Sequence, residues 1–453
     1  MEREMPSLPL ASRPLGRLMA FAALGVASPV WAQLSSAETR MTATVDADYE
    51  RTVSLLERLV NQNSGSMNLA GVEAVAKIMR AELEPLGFRV VWKEMSATKR
   101  AGHLIATRTG SKTGKRLLLI AHLDTVFEAD SPFQSFVRRT GPGVDEAEGP
   151  GAGDDKGGLV TIVAALRAMQ AAGTLQGANI DIHMTGDEED SGEPIALARA
   201  DLIAAGKQAD VALDFEGLVR DEGRDMGSIA RRSSNSWVVT ATGQSGHSSG
   251  IFSARAGDGA IFELTRIISR FRTELPEQNL TFNVGLITGG QEAALDGDGV
   301  RATAKGKTNI IPGIAIARGD FRTLSNDQTA RVRAKMAAIV KDHAPLTSAA
   351  IAFDEGYPPM APTAGNKAVL DRLNKVNADL GLPEMPALDP LKRGAGDISF
   401  VASDVDGLAG LGPHSRGDHA PGETVDLLSI KTQAKRAAIL ISRLAREKRR
   451  IAD

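Results

Sequence analysis

Between Phe88 and Gly217 the sequence switches repeatedly between two periodicities, and this alternation limits the fold more than any other feature. "FRVVWKEM", "GHLIATR" and "RLLLIAHLDTV" read as strands and "GGLVTIVAALRAMQAAG" as a helix; "ANIDIHMT" is a strand, "PIALARADLIAAGK" a helix and "DVALDFEG" a strand. Such a pattern predicts an α/β domain with a mixed, largely parallel sheet, whose site lies at the carboxyl ends of its strands. Two stretches of helical spacing, Tyr49 to Val60 and Gly71 to Gly87, precede it, after a polar stretch that runs to about residue 44.

From about Ser233 the rhythm changes. "SWVVTATGQ", "AIFELTRIISRFRTEL", "LTFNVGLITGG", "TNIIPGIAIARGDFRTL", "DQTARVRAKMAAIVKDH" and "SAAIAFDEG" give the order β-α-β-β-α-β, a ferredoxin-like split unit. Beyond about Gly356 the α/β pattern resumes with "AVLDRLNKVNADLG", "GDISFVAS" and "VDGLAGLG", and ends in the amphipathic "LSIKTQAKRAAILISRLAREKRR". The predicted organisation is a main domain over 45–232 and 356–453 with residues 233–355 inserted. A chain of 453 residues is long enough for both.

The N-terminus differs from the rest. Arg13 and Arg17 precede the apolar run "LMAFAALGV", and Val30 and Ala32 stand at the -3 and -1 positions of a cleavage site, so residues 1–32 read as a secretory signal peptide. An uncleaved anchor is the alternative. No later segment reaches about 18 apolar residues, so no membrane association is expected after cleavage, and the location is expected to be periplasmic or secreted. The chain has no cysteine, which leaves histidine and carboxylates as its metal ligands. A net charge of only -3 gives no sign of a nucleic-acid partner.

The chemically capable residues stand where predicted strands stop. In "AHLDTV", His122 and Asp124 share a face of an extended chain, so Asp124 can accept one imidazole N–H while the other ring nitrogen faces a metal. In "GPGAGDDKGGL" one aspartate can cap the helix while Asp154 points at the metal. "HMTGDEEDSG" packs four carboxylates, Asp187 to Asp190, where like charges repel; after Gly186 a turn can bring Glu188 and Glu189 towards one centre, and two cations there would reverse the repulsion. An isolated acidic run is otherwise a solvated turn. "DFEG" adds Glu216, and "GLGPHSRGDHAPGE" offers His414 and His419, between which the spacing alone does not choose.

Taken together and in order, "AHLDTV", "GAGDDKGG", "GDEE", "DFEG", "SGHSSG" and "GLGPHSRGDHAPGE" resemble the M20 family of two-zinc peptidases and amidohydrolases, from about residue 50 to 445. The resemblance implies a zinc-exopeptidase-like domain with an inserted lid and dimerisation domain. It implies two Zn2+ per subunit, with Co2+ or Mn2+ as substitutes: His122 and Glu216 on one, Glu189 and His419 on the other, Asp154 bridging by way of a cis Asp154–Asp155 peptide. His419 is chosen over His414 because its distance from "GLGP" keeps the family's spacing. Glu188 becomes the general base. His247 would reach a partner subunit's site to hold the oxyanion, making the enzyme a homodimer. Arg322 and Asn309 would grip a free carboxylate, and Gly394 would let substrate lie against backbone. The expected reaction is hydrolysis of an amide beside a free carboxylate in a small peptide or N-acyl amino acid. It would release a C-terminal amino acid such as glutamate, with N-acyl-amino-acid amidohydrolase or dipeptidase activity as the alternative.

Overall fold

The computed structural model describes residues 34–297 and 299–449. The expected signal peptide lies outside the described residues. Among them, no helix is long and apolar enough to cross a membrane.

The main sheet has six strands in the order Arg89–Glu94, Gly102–Arg108, Asn179–Thr185, Arg116–His122, Val211–Asp214 and Gly407–Leu408. The last four are mutually parallel, and Gly102–Arg108 runs antiparallel to both of its neighbours, so the sheet is mixed and largely parallel. Arg116–His122 lies at its centre and is buried from Leu117 onward. Leu117 and Leu119 face the larger core and Leu118 and Ile120 the smaller one, as the two-residue period of a strand covered on both sides requires. The larger core takes in the helices Lys156–Ala171 and Leu427–Arg446, both mostly buried.

Three local readings are corrected. The polar stretch before residue 45 is helical over Ser36–Ala47, because Ser35 and Glu38 form a capping box and Met41 and Val45 enter the core. "PIALARADLIAAGK" is two short helices, Ile195–Ala198 and Ala200–Gly206, broken where the fully buried Arg199 turns in to reach Asp187 and Asp397. "GDISFVAS" holds a 3-10 turn, Asp397–Phe400. A hairpin, Val137–Gly141 and Val144–Glu148, went unread because its sequence is polar; it pairs with Thr424–Asp426.

The second sheet is antiparallel, in the order Thr281–Gly290, Ile314–Arg322, Asn235–Gly243 and Thr347–Phe353. Its helices are Ala260–Glu274 and Asn326–Lys341. They close a separate core around Trp237, whose ring meets Phe271 edge-on at 5.5 Å. Trp237→Ala is expected to destabilise this unit by about 3–5 kcal/mol through lost burial and a cavity. A lowered urea midpoint for the transition that reports this sheet checks it.

Candidate active site

The strand Arg116–His122 lies between Asn179–Thr185 and Val211–Asp214. The connections to these neighbours pack on opposite faces: the helix Lys156–Ala171 belongs to one core and Leu202 to the other. A crevice therefore opens beyond the carboxyl ends of the three strands. Into it come His122 at the end of one, Glu188 and Glu189 from the turn after the second, and Glu216 just beyond the third.

Asp154 is the centre of the arrangement. Its Oδ1 is 2.9 Å from His122 Nε2 and its Oδ2 is 3.1 Å from His419 Nε2, so one carboxylate spans two imidazoles. His419 Nε2 is also 3.1 Å from Glu189 Oε2. The peptide between Asp154 and Asp155 is cis. The loop bearing Asp154 is held by the Glu423 carboxylate, which accepts from the amides of Gly151 (3.1 Å), Gly153 (2.7 Å) and Asp154 (3.0 Å). Gly153 is required there, since a Cβ would stand 2.2 Å from Ser415 Cβ.

Behind His122, Asp124 is fully buried. Its Oδ1 lies 3.4 Å from His122 Nδ1 and accepts from the Glu188 amide at 3.0 Å; its Oδ2 accepts from the Glu189 amide at 3.1 Å and the Ser66 hydroxyl at 2.6 Å. His122 Nδ1 is also 3.1 Å from the Asp124 carbonyl oxygen, so main chain and side chain of one residue orient the imidazole while the side chain fixes the acidic turn. Asp155 does not cap the following helix with its side chain; Oδ2 accepts from the His122 amide at 3.2 Å.

The electrostatics follow from this packing. Burial alone would raise Asp154, but the bonds to His122 and His419 hold it well below the usual carboxylate range. Bonds to Asp154 and Glu189 push His419 up to about 11. Burial pushes Glu188 well above the ordinary carboxyl range, and the neighbouring Glu216 adds to it. Burial likewise raises Glu189, against the opposing bond to His419.

The donor set fits divalent cations. Nitrogen and oxygen atoms of His122, Asp154 and Glu189 lie within 4.8 Å of one another. Glu189 Oε1 and Glu216 Oε1 are buried acceptors with no hydrogen-bond partner. Ligands about 2.0–2.1 Å from a tetrahedral ion stand about 3.3 Å apart, close to the contacts around Asp154. Imidazole and carboxylate without thiolate suit zinc, manganese or cobalt.

Glu216 departs from expectation. Neither it nor His419 is in the group formed by His122, Asp154 and Glu189; Glu216 Oε2 pairs with Arg231 Nη1 at 2.6 Å and Arg393 Nη2 at 3.2 Å, and Oε1 has no hydrogen-bond partner. Glu188, Glu189, His419, Arg322 and Gly394 line one cleft of about 600 Å³. Arg322 Nε lies 3.5 Å from Asp320 Oδ2, and the side chain stays 35% exposed. His247 and Asn309 do not line this cleft. They sit on and beside a two-strand ribbon, the exposed Gly246–His247 paired with Ile310–Ile311, of which Ile311 is buried; His247 Nδ1 is 2.8 Å from Ser249 Oγ. His414 is outside the cluster, its Nδ1 3.3 Å from Leu218 O. Of the other histidines, His103 and His183 are buried structural residues and His343 is partly exposed beside Glu263.

Sequence reasoning missed Glu423, Tyr357, Arg231 and Arg393. Glu423 had a signal, following the His419 motif directly in "HAPGE"; Tyr357 is one of only two tyrosines. The arginines had none.

Imidazoles and buried carboxylates gathered at strand ends, with an extra carboxylate beside them, make the site of a metal-dependent hydrolase. The model of peptidase family M20/M25/M40 matches residues 118–443, and the chain belongs to that family. It is 28% identical over 404 residues to carboxypeptidase G2 of Pseudomonas sp. (strain RS-16), covering 86% of this chain and 88% of that one. It is 29% identical over 203 residues to succinyl-diaminopimelate desuccinylase of Leptothrix cholodnii, covering 43% and 51%. Among solved structures, aminopeptidase PepT of Bacillus cereus superposes with a TM-score of 0.68 at 17% identity, over 88% of this chain and 99% of that one. A dinuclear metal-binding M20 peptidase of Bacillus subtilis gives 0.60 at 17%, over 88% and 99%.

His419→Ala is expected to lose bound metal on Zn2+ loading, while His414→Ala keeps it. Elemental analysis of the dialysed proteins decides; the reverse result would exchange the two assignments.

Proposed function

We propose that the protein is an exported, zinc-dependent exopeptidase that hydrolyses an amide bond next to a free carboxylate and releases a C-terminal amino acid, glutamate among them. The observation that carries this is the shared cleft: a spare half-buried carboxylate, Glu188, with Glu189 and His419, and a partly exposed guanidinium, Arg322, face one space. Similarity to carboxypeptidase G2 over most of both chains supports the carboxypeptidase reading. The partial match to a desuccinylase supports the second reading, an N-acyl-amino-acid amidohydrolase or dipeptidase. Initial rates on N-acyl amino acids, dipeptides and pteroyl-type glutamate conjugates, after reconstitution with Zn2+, Co2+ or Mn2+, choose between them.

In this reading His122 and Glu216 would hold one cation, Glu189 and His419 the other, and Asp154 would serve both; Glu216 has Oε1 free for this. Two bound cations would polarise the amide carbonyl and supply an activated water. The chain does the rest. Glu188 takes the water's proton on its carboxylate and delivers it to the departing nitrogen, a task for which a raised pKa is suited. Arg322 offers a planar fork to the substrate's free carboxylate. Gly394 stands where a Cβ would lie 3.5 Å from Arg322 Nη1, so its lack of a side chain leaves room beside that fork. The leader-like N-terminus supports a periplasmic or secreted location.

Glu188→Gln is expected to keep its metal and lose about 10²–10⁴ in rate, because an amide cannot accept the water's proton. Near-normal turnover of the metal-replete variant would remove Glu188 from the reaction.

His247 and Asn309 sit on their ribbon apart from their own chain's cleft, which is where residues serving a partner's site would be. A homodimer follows in this reading. Neither His247→Ala nor Glu188→Gln should work alone, yet mixing them under subunit exchange should restore a minority of wild-type activity. One site of each mixed dimer then has both groups. No recovery in demonstrated heterodimers would confine His247 to its own chain.

A further inference from the structure

We propose that Tyr357 is a positioning residue for Glu188; the idea rests on the reading of Glu188 as the base. Both backbone polar groups of Glu188 are held by side chains. Its N–H donates to Asp124 Oδ1 at 3.0 Å, and its carbonyl accepts from the Tyr357 hydroxyl at 2.9 Å. The carboxylate therefore swings from a Cα tethered on both sides: from the cluster by Asp124, and from another part of the chain by Tyr357.

The tyrosine is itself immobilised. Its oxygen lies 2.7 Å from Arg199 Nη2, which donates to it, and 2.9 Å from Ser191 Oγ. With Ser191 donating, the one proton and two lone pairs of the phenol are all engaged. The ring stands edge-on to Phe400 at 4.8 Å. Arg199 cannot swing away, because it is fully buried and paired with Asp187 Oδ1 at 2.5 Å and Asp397 Oδ1 at 2.7 Å. Asp187 in turn accepts from the Gly192 amide at 2.9 Å, which closes the acidic turn on itself. The main chain of Tyr357 belongs elsewhere: its carbonyl accepts from the Ser234 amide at 3.0 Å, where the chain enters and leaves the second sheet. The hydroxyl is thus a fixed post driven into the turn that carries the base.

Phenylalanine keeps the ring and removes only the post. In Zn2+-reconstituted Tyr357→Phe, kcat is expected to fall about 10–100-fold with KM within about twofold, since a misplacement of about 1 Å can cost 10²-fold. The substrate is whichever conjugate of the panel the wild type turns over fastest. Metal content should be unchanged, and amide hydrogen exchange should quicken across residues 187–192 alone. A wild-type kcat would overturn the role, whether exchange is unchanged or quickened throughout the sheet as for a purely structural tyrosine. Glu188→Gln assayed alongside separates the two ideas: if it is active the base reading fails, and if it is inactive beside a fully active Tyr357→Phe only the positioning role fails. Should the phenylalanine variant not fold, 3-fluorotyrosine can be incorporated, because the chain has two tyrosines and Tyr49→Phe assigns their 19F signals. The Tyr357 signal should shift in step with Zn2+ binding, as its partner carbonyl immediately precedes Glu189. A signal unmoved at saturation would overturn the proposal.

Discussion

Buried carboxylates crowd the ends of three parallel strands, and the structure around them is arranged to hold them aimed: imidazoles keep Asp154 charged, while burial still raises Glu188, Glu189 and Asp214. An uncompensated carboxylate in such a place takes up a proton instead. Compensation comes from two sides. Towards the cleft, His122 and His419 share Asp154, and His419 also takes Glu189. Away from it, Arg231 spans Asp214 at 3.0 Å and Glu216 at 2.6 Å, and Arg199 spans Asp187 and Asp397. Buried pairs of this kind contribute little net stability, but removing one partner is costly. Their value here is placement: each arginine fixes a carboxylate that flanks the cluster or belongs to it.

This division explains what the sequence made legible. His122, Asp154, Glu189 and His419 were readable because each follows a strand or a glycine-rich loop, and the fold brings such ends together whatever the rest of the chain does. The alternation of strand and helix was readable for the same reason, since its periodicities are local. Arg199 and Arg231 were not. An arginine in "ALARADL" looks like a helix's solvent face, and its partners lie 12 and 198 residues away. The break in that helix was illegible as well, because it comes from the buried ion pairs rather than from a glycine or proline. Glu216 was readable as a site carboxylate, but the arginines that claim its Oε2 were not, which is why its placement differs from expectation.

The same long-range contacts join the second sheet to the site. The chain enters it through Arg231 to Ser234 and returns through Tyr357 to Met360, and these two linkers pair side by side. Arg231 exchanges both backbone hydrogen bonds with Met360 at 2.9 Å, and the Ser234 amide donates to Tyr357 O. Each linker sends one side chain into the centre. Arg231 reaches Glu216 and also donates through Nε to Gly394 O at 2.9 Å, and through Nη2 to Ala395 O. Tyr357 reaches the carbonyl of Glu188.

Mechanically, the paired linkers are therefore part of the main domain. A displacement of the second sheet that bent the chain between Arg231 and Ser234, or between Tyr357 and Met360, would break buried ion pairs and pull on both Glu188 and Glu216. Bending beyond Ser234 and before Tyr357 leaves those ion pairs intact but opposes a second set of buried bonds: the Ser233 amide donates to Thr323 O at 2.9 Å and the Thr323 amide donates to Ser233 Oγ at 2.8 Å. Arg322, which lines the cleft from the second sheet, immediately precedes the Thr323 that Ser233 holds. Ser233 therefore ties the strand that bears Arg322 to the linker that bears Arg231, and a hinge between Ser234 and Tyr357 separates the two only with loss of those buried bonds.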